Sequence, residues 1–280
     1  MNLVVQGEGI EATDASRVAV LSGARSIEQV ARSAWRLRAD SRSAQSDDAV
    51  AAYCERRLLD HAWVPAGRRF ADLRLLAMDM DSTLISIECI DEIGGMLGIK
   101  PQIAAITGRA MRGEIDYAES LRRRVALLEG LAIEALKRVY DEKLRFSPGA
   151  EALVNHAQRL GLKTLLVSGG FTFFTERIQK RLGLDYTLSN VLEIEAGRLT
   201  GRVSGPIVDA AAKAKRFRDL AHALGLAAGQ TLAIGDGAND VPMLESAGVS
   251  IAYRAKPVVR AKATHALDHS GLDGAINLFD

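Results

Sequence analysis

Three short apolar runs, each breaking off into acids, hydroxyls or glycines, constrain this chain more than any other feature. Leu75 to Met78 runs into Asp79, Asp81, Ser82 and Thr83. Thr164 to Val167, inside KTLLVSGG, runs into Ser168, Gly169 and Gly170. QTLAIGDGAND (230–240) runs into Asp236, Gly237, Asn239 and Asp240. Runs this short, with no helical period, suit strands buried on both faces of a parallel sheet. In open sheets of that kind, ligands bind just beyond the carboxyl ends of the strands. Asp79 and Asp81 at such an end repel each other unless a cation or a phosphoryl group organises them. Alone, Asp-x-Asp-x-Thr also reads as a solvated turn. Three exits of the same construction point to a site.

The remainder of the chain divides around these strands. Residues 1–72 offer a short strand (Leu3 to Val5), helices near 14–22 and 47–61, and a strand around Val30 to Leu37. The polar stretch Ala39 to Asp48 reads as a loop, and Pro65 and Gly67 mark a handover. We read 1–72 as a small α+β domain of ACT-like kind, used for packing, dimerisation or regulation. Gly7-x-Gly9-x-x-Ala12 imitates a dinucleotide-binding loop, but its strand is short and no clear βαβ unit follows. Between the first two exits, about 86–146, the pattern is helical, and Gly94, Gly95, Gly98, Pro101, Gly113 and Gly130 divide it into four short helices. An inserted bundle there would cap the strand ends. Pro148 is expected to open a helix that Gly161 closes, residues 186–203 alternate as a β-hairpin around Ala196-Gly197, and a helix spans Ala210 to Leu224. Val249 to Ala252 and His265 to Leu267 read as final strands.

Composition closes off other classes. With 36 Lys and Arg against 35 Asp and Glu, the formal charge of +1 gives no electrostatic hold on nucleic acid or anionic membranes. Six arginines between Arg17 and Arg42 are scattered, as on a solvated surface. Two cysteines, Cys54 and Cys89, form no disulfide framework or metal cluster and read as buried apolar groups in a reducing compartment. The five histidines lack metal-ligand spacing. No run approaches membrane-spanning length, and the start of the chain lacks a signal peptide's basic and apolar regions, so the expected compartment is the cytoplasm.

The three exits together resemble the haloacid dehalogenase-like (HAD) phosphohydrolases. Asp79, Asp81 and Thr83 match that family's Asp-x-Asp-x-Thr, Ser168 its strand-end serine, and Gly235, Asp236 and Asp240 its Gly-Asp-x-x-x-Asp, with Lys213 as the upstream lysine. Further runs, DMDSTLISIECIDEIG, RAMRGEIDYAESLRRRV, SGGFTFF and IGDGANDVPM, are similar to members that act on O-phospho-L-serine. The likeness covers about 73–280. It implies a Rossmann-like α/β core with a parallel sheet over 73–280, a helical cap over about 86–146, and hydrolysis of phosphoserine as the last step of serine biosynthesis.

Phosphate monoesters hydrolyse slowly, so such a site needs a nucleophile, charge neutralisation and a proton donor. The resemblance makes Asp79 the nucleophile, forming an aspartyl-phosphate. Mg²⁺ suits the charge, held by the carboxylates of Asp79 and Asp236 and the backbone carbonyl of Asp81, with Asp240 in support. Asp81 is the general acid and base, and Thr83 orients the loop. Ser168 and the Gly169 amide would hold phosphoryl oxygens, Lys213 would supply a fixed ammonium, with Lys215 as the competing choice, and Asn239 would place the substrate. Glu88 suits the substrate ammonium and Arg124 its carboxylate, although Arg124 also reads as part of a solvated helix face beside Arg122 and Arg123. Tyr117 stands where the family more often has Phe. The expected partner is a small molecule, with neither nucleic acid nor membrane, and the assembly a monomer or homodimer. Competing expectations are phosphoryl transfer to another alcohol such as homoserine, or a non-enzymatic amino-acid sensor.

Overall fold

A computed structural model describes residues 1–39 and 42–280. Its elements in chain order begin with β1 (Asn2–Gln6), α1 (Ala12–Ser22), β2 (Ser26–Ala31), β3 (Ala34–Arg38), α2 (Ala44–Arg57) and β4 (Asp60–Val64). There follow β5 (Leu75–Met78), α3 (Cys89–Met96), α4 (Lys100–Met111), α5 (Tyr117–Ala126), α6 (Ile133–Arg138), α7 (Ala150–Arg159), β6 (Lys163–Phe171) and α8 (Thr172–Leu182). The chain ends with β7 (Tyr186–Glu195), β8 (Arg198–Ser204), α9 (Ala210–Ala223), β9 (Thr231–Gly235), α10 (Val241–Ser246), β10 (Val249–Tyr253), α11 (Pro257–Arg260) and β11 (His265–Leu267).

The larger sheet runs β11-β10-β9-β5-β6-β7-β8 and is parallel except for β8. From β5 the chain builds outward through β6 and β7, then returns to build the other side through β9, β10 and β11. The order therefore reverses at β5, the place where a doubly wound sheet opens a crevice. Side chains alternate across these strands. Leu76, Met78, Leu166 and Ile234 enter one core with α7 and α8, while Leu75, Ala77, Leu165 and Ala233 enter the other with α9 and α10. Burial on both faces explains why the runs carry no polar alternation. The helical insertion leaves the core at Ile85 and returns at Phe146. There the crossing segments bridge, with Ser86 N–H donating to the Arg145 carbonyl and Ser147 N–H to that of Leu84, both at 3.0 Å.

The smaller sheet, β2-β3-β1-β4, is wholly antiparallel, and its β-α-β-β-α-β order is that of a split βαβ unit. Leu3, Val5 and Leu37 pack under α1 and α2, whereas Val4, Ala62 and Val64 face the larger unit. Buried polar groups fasten that face. Asp60 accepts backbone N–H bonds from Asp268 and Ser270 at 2.7 Å and from His269 at 3.2 Å. Gln6 donates to the Gly274 carbonyl at 3.0 Å and accepts from Asn277 at 2.7 Å.

Several local expectations shift. The strand expected at 30–37 is two strands, β2 and β3, joined by a turn at Arg32-Ser33. The helix expected over 47–61 stops at Arg57, where Leu58 turns left-handed (φ 53°), and the chain continues as β4. Of the polar stretch 39–48, Ala44 onward is helical under a Ser43 N-cap, and Asp40 and Ser41 lie outside the described residues. Pro148 precedes its helix without opening it, because Gly149 is the N-cap. β1 pairs antiparallel with both neighbours, so Gly7 and Gly9 do not open a dinucleotide-binding βαβ unit. Ala196 and Gly197, at φ 47° and 77°, make the expected hairpin turn. Cys54 and Cys89 are both free and buried.

Candidate active site

The three strand exits converge because their strands are neighbours in register. Met78 lies opposite Leu166 on one side and Ile234 on the other, so Asp79, Ser168 and Asp236 come within one residue of the same level, Ser168 opening the irregular stretch of β6 between Val167 and Phe171. Lys213 reaches this point from the first turn of α9. Its Nζ donates to Asp79 Oδ1 at 2.7 Å and to Asp240 Oδ1 at 2.8 Å, and the residue is only 1% exposed. Lys215, two residues on, turns outward to Asp219 on the exposed face of α9.

Asp79, Asp236 and Asp240 each bring an oxygen within 4.8 Å of the other two. Thr83 donates its hydroxyl to Asp236 Oδ1 at 2.8 Å, and the Gly237 N–H donates to Asp240 Oδ2 at 3.0 Å. Three carboxylates face one ammonium, so the cluster carries two negative charges more than its own residues cancel. A divalent cation that prefers hard oxygen fits that deficit. The proton affinities carry the same imprint. Burial, then the charge of Asp240, raises the Asp79 pKa well above the ordinary carboxylate range despite Lys213. Burial and Asp240 likewise lift Asp236 to about 6. Burial alone would lower the Lys213 pKa, but Asp240 and Asp79 outweigh it and hold the ammonium charged.

Asp81 points elsewhere. It lies inside a wide turn over Met80–Leu84, with Leu84 N–H donating to the Asp79 carbonyl and Ile85 N–H to that of Met80. The Cys89 N–H at the start of α3 donates to Asp81 Oδ1 at 3.1 Å. Burial, then the Glu88 charge, raises the Asp81 pKa to about 7. Ser82 occupies the left-handed region (φ 56°), a conformation that costs a non-glycine residue about 1–2 kcal/mol. Its hydroxyl donates to Glu88 Oε1 at 2.6 Å, which ties the strained turn to the N-cap of α3, the first helix of the insertion.

Tyr117 and Arg124 lie seven residues apart on α5 and therefore on one face of it. Tyr117 donates its hydroxyl to the Gly169 carbonyl at 3.1 Å. Arg124 is half-buried, donates Nε to the Ser120 carbonyl at 3.3 Å, and its charge favours the ionised form of Glu88, whose pKa burial raises. Ser168 is fully buried and accepts the Gly170 N–H at 2.8 Å. Asn239 sits half-buried in the turn between Asp236 and Asp240. The structure thus gathers Asp79, Asp236, Asp240 and Lys213 into one contact cluster and sets Ser168 on the adjoining strand end. Asp81, Glu88, Tyr117 and Arg124 lie where the insertion meets the core. Among the described residues, no histidine or cysteine joins the acidic cluster.

Asn190 was not anticipated. It is buried, with Nδ2 donating to the Gly169 carbonyl and Oδ1 accepting the Val208 N–H, both at 2.8 Å. A signal existed, since Asn190 alternates in sequence with apolar Leu188 and Leu192 along β7. A polar side chain there must find partners inside the protein.

Residues 76–245 match the haloacid dehalogenase-like hydrolase family, and residues 3–47 match a family described only as a domain of unknown function. A protein of Albidiferax ferrireducens named phosphoserine phosphatase is 52% identical over 216 residues, spanning 75% of this chain and 91% of its own. A HAD family hydrolase of Salmonella enterica serovar Typhi aligns over 100% of this chain and 98% of its own, with a TM-score of 0.90 at 33% identity. A probable phosphoserine phosphatase of Vibrio cholerae aligns over 99% and 86%, with a TM-score of 0.85 at 34% identity.

Proposed function

The chain belongs to the haloacid dehalogenase-like hydrolases, and from that premise we propose that it hydrolyses O-phospho-L-serine to L-serine and phosphate. One observation carries the reading: a fully buried Lys213 ammonium bonded at once to Asp79 and Asp240, at the switch point of a doubly wound sheet. Lysine holds the nucleophile's rotamer and supplies positive charge where the phosphoryl group gathers negative charge. In this reading 1–72 is an accessory unit, 73–280 the catalytic unit and about 86–146 its cap. The two buried free thiols suit a reducing cytoplasm, where the reaction would complete serine biosynthesis. Among the described residues no helix is long and apolar enough to cross a membrane.

An Asp79 carboxylate oxygen attacks phosphorus, and the serine oxygen departs as the P–O ester bond breaks. Asp81, held near neutrality by burial, gives the departing oxygen its proton. It then takes a proton from the water that attacks the aspartyl-phosphate, which frees phosphate and restores Asp79. Ser168 and the Gly169 amide cradle the phosphoryl oxygens. The carboxylates of Asp79 and Asp236 and the Asp81 carbonyl would hold Mg²⁺, with Asp240 in support. Bound there, the ion supplies the positive charge that lets a carboxylate approach a phosphate dianion. Glu88 takes the substrate ammonium, Arg124 its carboxylate, and Tyr117 closes over it beside Asn239.

Phosphate release should be measured from L-phosphoserine and from a panel of other phosphomonoesters, with Mg²⁺ and with a chelator. Phosphoserine is expected to lead the panel, activity to vanish with the chelator, and Asp79→Asn to be folded but inactive. More than a trace of turnover in Asp79→Asn removes the assigned nucleophile, and a different leading ester removes the assigned substrate.

A further inference from the structure

The carbonyl of Gly169 is a meeting point of three parts of the molecule. Asn190 reaches it from β7, deep in the core, and Tyr117 reaches it from α5, in the helical insertion. Asn190 also accepts the N–H of Val208, next to Asp209, whose side chain caps the N-terminus of α9. One buried amide therefore joins the irregular stretch of β6 that follows Ser168 to the start of the helix that carries Lys213. Its orientation is fixed by its neighbours, since only the NH₂ end can meet a carbonyl and only the oxygen can meet an N–H.

The Gly169 carbonyl and the Gly170 N–H belong to one planar peptide unit, so holding one aims the other. That N–H donates to Ser168 Oγ at 2.8 Å. With a lone pair of Ser168 occupied in this way, the serine's own hydrogen is free to point toward a phosphoryl oxygen. Tyr117 approaches so closely that a Cβ on residue 169 would lie 2.3 Å from its hydroxyl oxygen, which leaves the contact to glycine.

We propose that the Gly169 carbonyl is the latch point of the cap: Asn190 fixes it from the core, and the Tyr117 hydroxyl fastens the closed cap to it. Cap closure and the aim of Ser168 are then a single event. Asn190 is a positioning residue, and the Tyr117 hydroxyl sets the ratio of closed to open cap. The kinetic consequence rests on the phosphatase reading above, whereas the mechanical one does not.

Tyr117→Phe, Asn190→Ala and the double variant of the full chain test this, with Asn190→Asp as a second way to remove the donor while keeping the acceptor for Val208. Amide hydrogen exchange without substrate comes first. Tyr117→Phe is expected to speed exchange across 117–126 about fivefold, the range that a single neutral hydrogen bond supplies, and to leave 210–223 unchanged. Unchanged exchange in α5 overturns the latch whether or not phosphoserine is the substrate. In steady-state assays, Tyr117→Phe should raise KM severalfold for phosphoserine and for p-nitrophenyl phosphate alike, because closure aims Ser168 whichever ester is bound. Unchanged KM on both esters in a folded variant would overturn the assignment. Asn190→Ala and Asn190→Asp should each lower kcat about tenfold on both esters, and unimpaired kcat in a folded variant overturns the positioning role. Because the acceptor is shared, Tyr117→Phe should cost less than twofold in KM when added to Asn190→Ala, and simple multiplication of the two effects counts against the shared carbonyl. If the wild-type chain releases no phosphate from phosphoserine, the functional reading fails, and the exchange measurement still decides the latch.

Discussion

Replacing Lys213 by Met removes the single cation from a site with three carboxylates, at nearly constant side-chain length. Nζ lies 2.7 Å from Asp79 Oδ1 and 2.8 Å from Asp240 Oδ1, with all three residues buried. For charge centres about 4 Å apart at an effective dielectric near 20, each contact is worth about 4 kcal/mol of gross attraction. Desolvation takes back much of that, and the measured cost of stranding a buried partner is about 3–5 kcal/mol. In a chain of this size that loss lowers the melting temperature by roughly 6–20 °C. The metal-free variant should therefore melt well below the wild type in calorimetry. Mg²⁺ should then raise its melting temperature more than it raises the wild type's, because the cation takes over charge that lysine no longer cancels. Turnover should be lost with and without Mg²⁺, since an ion near Asp79 and Asp236 does not also hold the Asp79 rotamer from the side of α9. Wild-type melting in chelator, or near-normal turnover in Mg²⁺, would refute the reasoning. Either result would mean that the buried triad is not the organising centre of the site.

Arg124→Ala should lower kcat/KM for phosphoserine about 10–100-fold, the worth of a charged hydrogen-bonded contact, and leave an aryl phosphate little changed. Equal losses on the two esters would remove its recognition role. Asp60→Ala leaves the N–H groups of Asp268, His269 and Ser270 without an acceptor, which costs roughly 3–6 kcal/mol, and Asp60→Asn should cost less because one oxygen remains. Denaturant unfolding reads both, and a change below about 1 kcal/mol for Asp60→Ala would show that the two units are not fastened there. Asp14 has its pKa lowered from 3.8 to about 2, chiefly by its hydrogen bond from Arg57. A depressed carboxyl contributes stability that is complete above its unfolded value and fades as pH falls from 3.8 toward 2. With Arg57 half-exposed, that contribution is about 1–2 kcal/mol. The stability gap between wild type and Asp14→Asn should thus be constant above about pH 5 and shrink below about pH 4. A gap that grows on acidification would contradict the pairing.

The site was far more legible than its setting. Asp79, Ser168 and Asp236 stand directly after apolar runs, so their placement follows from strand length and register. Lys213 required more, because nothing in AAAKAK separates it from Lys215 except distance to the third exit. Its burial shows why that distance matters: one lysine falls on the sheet face of α9 and the other on the solvent face. The smaller unit was harder to read for local reasons. β2 is an exposed edge strand, SIEQVA, with no apolar alternation, and its turn into β3 uses Arg32-Ser33 without glycine or proline. β4 follows α2 after only two residues, through a left-handed leucine that no turn rule flags. The role of Asp60 was beyond reach, because its partners lie more than two hundred residues away and are backbone groups.

The arrangement also sets two acids two residues apart in different surroundings, as the proposed reaction requires. Residues i and i+2 of a continuing strand would project from the same face, where two carboxylates would share one field and compete for one proton. Here the strand ends at Met78, and the turn through left-handed Ser82 sends Asp79 toward an ammonium and Asp81 toward the N–H of Cys89. Lys213 favours the charged form of the first, against the burial and the Asp240 charge that raise its pKa. Burial and Glu88 favour the neutral form of the second. The strain at Ser82 is offset by its own hydroxyl bond to Glu88, so the residue that closes the turn also joins it to the insertion that would cover a substrate. The separate surroundings of the two acids are thus a consequence of where the strand stops and how the chain leaves it.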